Sequence, residues 1–152
     1  MKKRTSGLEC PYAAAGLRCL LLLLLAVLIV ACQTEIDMSQ AIERNGIVYA
    51  KSTEKPFTGV VTGQSRHEGY RRVTVSFKKE YKDGLLNGRS YYYYLNGKIE
   101  SIEPYVQGTL DGVVTRYYEN GQIKARVHFV DGYRGGSKGE MFWDQNGHRR
   151  NG

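Results

Sequence analysis

Histidines, spaced carboxylates and one glycine-rich loop are the residues of this 152-residue chain whose types invite a chemical reading. His67, His128 and His148 have no Cys or His partner at ligand spacing, so no metal is expected. Glu100 and Glu103 stand three apart. On a strand that spacing sends them to opposite faces, which suits a general acid and base poorly. Gly135-Gly136-Ser137-Lys138-Gly139 has the glycines and lysine of a phosphate loop but no helix after it, so it reads as a loop. No Gly-x-Ser-x-Gly elbow is present. Without a constellation the expectation is a non-enzyme with no cofactor. A hydrolase using Glu100, Glu103 or Asp144 is the minor alternative.

The aromatic residues offer more. Tyr91-Tyr92-Tyr93-Tyr94 is a run of four in a chain with 12 tyrosines. Alternation on a strand sends Tyr91 and Tyr93 to one face and Tyr92 and Tyr94 to the other. One reading is that all four cover the sheet. The sharper reading makes Tyr92, Tyr94, Arg116 and Tyr118 a binding face, since Tyr and Arg are enriched at interaction hot spots.

The elements that would position these residues are written in a repeat. Gly84, Gly108 and Gly132 stand 24 apart, as do Gly88, Gly112 and Gly136, and Tyr81, Tyr105 and Phe129. Asn96-Gly97 and Asn120-Gly121 keep the interval, and Asn146-Gly147 follows 26 later. The two extra residues fall in the Gly135–Gly139 loop. Asn-Gly is a strong two-residue hairpin signal, read as a type I′ turn. Asp83-Gly84, Asp111-Gly112 and Asp131-Gly132 mark the opposite turns. Gly84, Gly88, Gly97, Gly108, Gly112, Gly121, Gly132 and Gly147 are the expected turn glycines. An earlier, degenerate unit enters at Lys55-Pro56-Phe57-Thr58-Gly59 and returns from Arg72 to Tyr81. There Val73, Val75 and Phe77 alternate with polar residues. The fold class expected is all-β: a single-layer antiparallel meander of about four hairpins. Tyr91, Tyr93, Thr115, Tyr117, Met141 and Trp143 share the more apolar face and are the expected core side. Tyr92, Tyr94, Arg116, Tyr118, Phe142 and Asp144 share the other.

The pattern Tyr-x-x-Gly-x-x-x-Gly, followed by Tyr-Tyr-x-Asn-Gly, resembles the MORN-variant repeat. Tyr81 to Gly97 and Tyr105 to Gly121 carry it, and Phe129 to Gly147 carries it loosely. Asn45 to Tyr49 with Lys55 to Gly59 looks like the opening of the YwqK-like antitoxins. The resemblance covers about residues 45–150.

The N-terminal stretch is expected to lie outside the fold. Lys2, Lys3, Arg4 and Arg18 precede an apolar run from Leu20 to Ala31. That run is short for a membrane span but suits a secretory signal. Ile29-Val30-Ala31-Cys32 resembles the lipobox of bacterial lipoprotein precursors. The resemblance implies diacylglycerol on Cys32, cleavage before it and acylation of the new amino group. Gln33 after the cysteine resembles the outer-membrane pattern. The division expected is a signal peptide over 1–31, a lipidated N-terminus and tether over 32–45, and a repeat domain over 46–152. A short helix near Ser39 to Arg44 is a minor expectation within the tether. Cys10 and Cys19 lie in the leader, which leaves no disulfide framework. Removing 1–31 lowers the net charge from +7 to +4, spread along the chain, which argues against a nucleic-acid footprint.

The functional expectation is a lipid-anchored scaffold in the cell envelope, on an outer membrane and facing the periplasm or the surface. Its partners would be the membrane, through Cys32, and a protein. An antitoxin or immunity-type protein is the alternative the family resemblance implies.

Overall fold

The chain makes its hairpins where left-handed backbone positions let it reverse. A computed structural model describes residues 34–69, 71–135 and 139–150. The leader, Cys32, Gly136 and most of the Gly135–Gly139 loop therefore lie outside the described residues. Strands β1 (Glu35–Asp37), β2 (Ala41–Arg44) and β3 (Ile47–Ala50) come first. Four hairpins follow: β4 (Gly59–Gly69) with β5 (Arg71–Lys82), β6 (Leu85–Tyr93) with β7 (Ile99–Val106), β9 (Gly112–Tyr117) with β10 (Ile123–Val130), and β12 (Met141–Trp143) with β13 (Arg149–Arg150). The two-residue strands β8 (Thr109–Leu110) and β11 (Tyr133–Arg134) start the returns that β9 and β12 continue. The main sheet runs β1-β4-β5-β6-β7-β9-β10-β12-β13, an all-β meander without closure.

Two kinds of turn alternate. Asp83-Gly84, Gln107-Gly108 and Asp131-Gly132 have both residues at positive φ, the two-residue I′ geometry. At the Asn-Gly ends only the glycine is left-handed, with Gly97 at +78° and Gly121 at +92°. There the Gly121 N–H reaches the Tyr118 carbonyl at 2.8 Å, and the Tyr118 N–H reaches the Gln122 carbonyl at 2.8 Å. This is a three-residue loop, not the expected I′ turn. The asparagine acts through its side chain instead: Asn120 Oδ1 accepts from the Gln122 N–H at 2.9 Å. Gly88 and Gly112 are not at turns either. They lie in β6 and at the start of β9, with φ of +112° and +113°.

Each sits where the ladder register slips. Pairing passes from Tyr81↔Leu86 to Lys79↔Ser90, and from Tyr105↔Leu110 to Ile102↔Thr115, a two-residue slip each time. In the last unit it passes from Phe129↔Arg134 to Arg126↔Met141, a slip of four. The two extra residues of the third repeat are thus absorbed at its bulge, and the sheet continues.

Residues 34–50 depart from the expected tether and helix. β1 pairs in parallel with β4 in register Glu35↔Val60. Met38–Gln40 is a single 3-10 turn, capped by Asp37, whose carboxylate accepts the Ser39 N–H at 2.8 Å. β2 and β3 form their own hairpin. Its Val48 N–H bonds the Gly84 carbonyl at 2.9 Å, and the Phe57 N–H bonds the Val48 carbonyl at 2.8 Å. Alternating apolar residues explain the change: Ile36, Ala41, Val48 and Ala50 have somewhere to be buried. They pack with Phe57, Val61, Phe77, Tyr81 and Tyr92.

That packing also corrects the choice of core face. From β5 onward the most buried side chains are Phe77, Ser90, Ser101, Val114 and Ala125. By register they lie on the Tyr92–Arg116 face, while Tyr91, Tyr93, Thr115, Tyr117, Met141 and Trp143 are half-buried on the other. Period-two alternation separates the faces but does not say which one a distant segment will cover.

Candidate binding groove

Direct cross-strand partners place Phe77, Tyr92, Ser101, Arg116, Ala125, Phe142 and Arg150 in one row. At the β5 end the row is covered by the 3-10 turn and the β2–β3 hairpin, through Met38, Ala41 and Val48. At the other end the same face opens into a recess of 380 Å³. Val114 and Ala125 are its buried floor. Phe129, Phe142 and Tyr118 give it aromatic walls, and Arg116, Lys124, Arg134 and Arg150 give it cations.

The four residues of the expected binding face fare differently. Arg116 is exposed and lines the recess. Tyr118 lines it too, but its hydroxyl donates to the Trp143 carbonyl at 2.8 Å. Tyr94 makes the equivalent bond one repeat earlier, to the Tyr117 carbonyl at 2.6 Å. Asn96 and Asn120 repeat the device, donating to the carbonyls of Glu119 and Gln145. These side chains therefore stitch each turn to the next. Tyr92 packs against the core, and burial, then the Glu103 charge, push its phenol up to about 12. The face does bring Tyr92 and Arg116 into one row, but Tyr92 lies nearer the covered end.

Charge in the groove is unbalanced. Glu103 already accepts from Ser101 Oγ at 3.3 Å and from the Tyr105 hydroxyl at 3.1 Å. The Arg134 guanidinium is forked onto Glu140. Asp144 is held by the backbone N–H groups of His148 and, less strongly, Asn146 at 2.9 Å each, and these hold its carboxyl below the usual range. The carboxylates Glu103 and Asp144 thus serve hydrogen bonds within the sheet and its turn. Among the described residues, Arg116, Lys124 and Arg150 have no ion-pair partner, and no group of three His, Cys, Asp or Glu is placed to hold a metal.

Lys124, Val127 and Phe129 escaped sequence reasoning as site residues. Their membership follows from register, because the one-residue slip between Ile123 and Ala125 decides which side chains of β10 face Arg116. A bulge without a glycine leaves little signal in sequence.

Comparison with known proteins agrees with the repeat geometry. No curated protein and no solved structure matches the chain. A family model described as MORN repeat variant matches residues 86–107 and 110–131. Those limits run from one I′ turn to the next, so each matched unit is one hairpin with its bulge. The chain carries MORN-variant repeats.

Proposed function

We propose that this protein is a binding scaffold of the cell envelope, held to a membrane by lipid on Cys32 and presenting its repeat sheet to a protein partner. The observation that carries the binding reading is the open end of the Tyr92–Arg116 face. It has a buried apolar floor and three cations without an ion-pair partner among the described residues, where the other end has a covering hairpin. Repeats of this type are generally involved in binding proteins or membranes. The lipobox-like Ile29-Val30-Ala31-Cys32 supports the anchor. Two or more acyl chains hold a membrane stably, where one gives only marginal binding.

Two measurements test the two parts. Intact mass after expression in a Gram-negative host should show a chain beginning at Cys32 and carrying acyl groups, both lost in Cys32→Ser. A full-length or unacylated product would remove the anchor. Photo-crosslinkers placed singly at Val127 on the groove face and at Arg126 on the opposite face should capture a discrete protein from at least one position. Capture from neither would remove the scaffold reading.

A further inference from the structure

The geometry points to the open recess as a docking groove for an acidic, extended peptide segment bearing aromatic or long aliphatic side chains. This rests on the scaffold reading and narrows it to one site and one ligand chemistry.

Charge is the first argument. Of the lining groups, Arg134 is paired with Glu140, and Arg116, Lys124 and Arg150 outnumber the one lining carboxylate, Glu103, which keeps its charge while accepting from two hydroxyls. A carboxylate-bearing ligand is complementary to that set, and guanidinium forks suit carboxylates.

Shape is the second. The apolar floor of Val114 and Ala125 is recessed between the rings of Phe129 and Phe142, and 380 Å³ has room for several side chains. A headgroup layer meets protruding charges, and here the apolar surface lies beneath the cations.

Ring exposure is the third. Lys124 Nζ sits 5.5 Å from the centre of the Tyr118 ring. That ring face is already occupied by a cation, whereas single-stranded nucleic acid needs free aromatic faces on which to stack. A peptide inserts side chains between the rings and leaves that cation–π contact in place.

The test uses the full chain and a fluorescein-labelled peptide of about eight residues, in which glutamate alternates with phenylalanine so as to span the groove extended. Its lysine–phenylalanine and glutamate–serine counterparts, a thymidine oligonucleotide and phosphatidylglycerol vesicles are the comparisons. Binding is read by fluorescein anisotropy, directly for the peptides and by competition for the oligonucleotide and vesicles. The glutamate–phenylalanine peptide is expected to bind. Arg116→Glu and Lys124→Glu should each weaken it by about tenfold or more. Lys55→Glu, the same charge change at an exposed site outside the groove, should leave it unchanged. Melting curves establish that all three variants fold. Equal binding of the lysine peptide, an equal loss in Lys55→Glu, or tighter Arg116-dependent binding of vesicles or oligonucleotide would each overturn the assignment. Envelope capture from Arg126 but not from Val127 would remove the groove and leave the scaffold reading standing.

Discussion

Phe77 and Phe142 occupy the same row of the same sheet face, yet one is 5 % exposed and the other lines an open recess. The repeats supply both rings in the same way. What differs is residues 34–50, which fold back over the first end and stop short of the second. A single-layer sheet has no second layer of its own, so a covering segment decides which stretch is core and which is surface. The covered end is where stability concentrates, and the open end is free to bind.

Substitutions can break that contrast. The largest effect is expected from Phe77→Ala, which empties the covered core and should cost about 3–5 kcal/mol in chemical denaturation. Phe142→Ala should cost clearly less, because its ring is only half-buried. Equal losses would mean that the two ends are not differently packed.

Glycines sharpen the comparison next. Gly84 has φ of +80°, and an added Cβ would collide with Ile47 Cγ2 and approach the Val48 carbonyl oxygen at 2.8 Å. Gly97 has φ of +78° with nothing within 4 Å. Gly97→Ala should therefore show only the backbone strain, about 1 kcal/mol, and Gly84→Ala should exceed it by displacing the covering hairpin. Similar melting of the two variants would argue that the hairpin does not sit there.

Alkali reports on the same end. The Tyr92 phenol is raised from 10.0 to about 12, first by burial and then by Glu103. The folded state thus holds that proton more tightly than the unfolded chain. Its contribution is fully present below pH 10 and is lost as pH rises toward 12. Stability measured across that window should fall, and Tyr92→Phe should flatten the fall. Tyr105 shifts the same way, chiefly through burial, so the slope should diminish without vanishing.

The smallest effect belongs to Ser90. Its buried Oγ has no hydrogen-bond partner among the described residues, whereas Ser101 Oγ donates to Glu103. Ser90→Ala should be neutral or slightly stabilising, and Ser101→Ala should cost about 1 kcal/mol.

How much of this was legible in the sequence follows from the range of the interactions involved. The 24-residue period, the hairpins and the positive φ of the turn glycines are local, and the spacing of Gly84, Gly97 and Gly108 announces them. The choice between the Tyr91 and Tyr92 faces was not legible. It depends on Val48 meeting Phe77, a contact between distant segments that alternation does not encode. The strand at Glu35–Asp37 was hidden for the same reason, since it is three residues long and exists through its pairing with Val60–Thr62. In the groove, Arg116 and Tyr118 were visible as residue types. Lys124 and Phe129 were not, because a register slip beside Ile123 aims them.

The most direct test of the central claim is quenching, by ions of opposite charge, of a tryptophan moved into the groove, Phe142→Trp in a Trp143→Phe chain. An open groove with more cations than carboxylates concentrates anions and repels cations. Iodide should therefore quench that indole more strongly than caesium at equal ionic strength, with the difference shrinking when Arg116→Glu and Lys124→Glu are added. Caesium quenching equal to or stronger than iodide, unchanged by those two substitutions, would contradict the account.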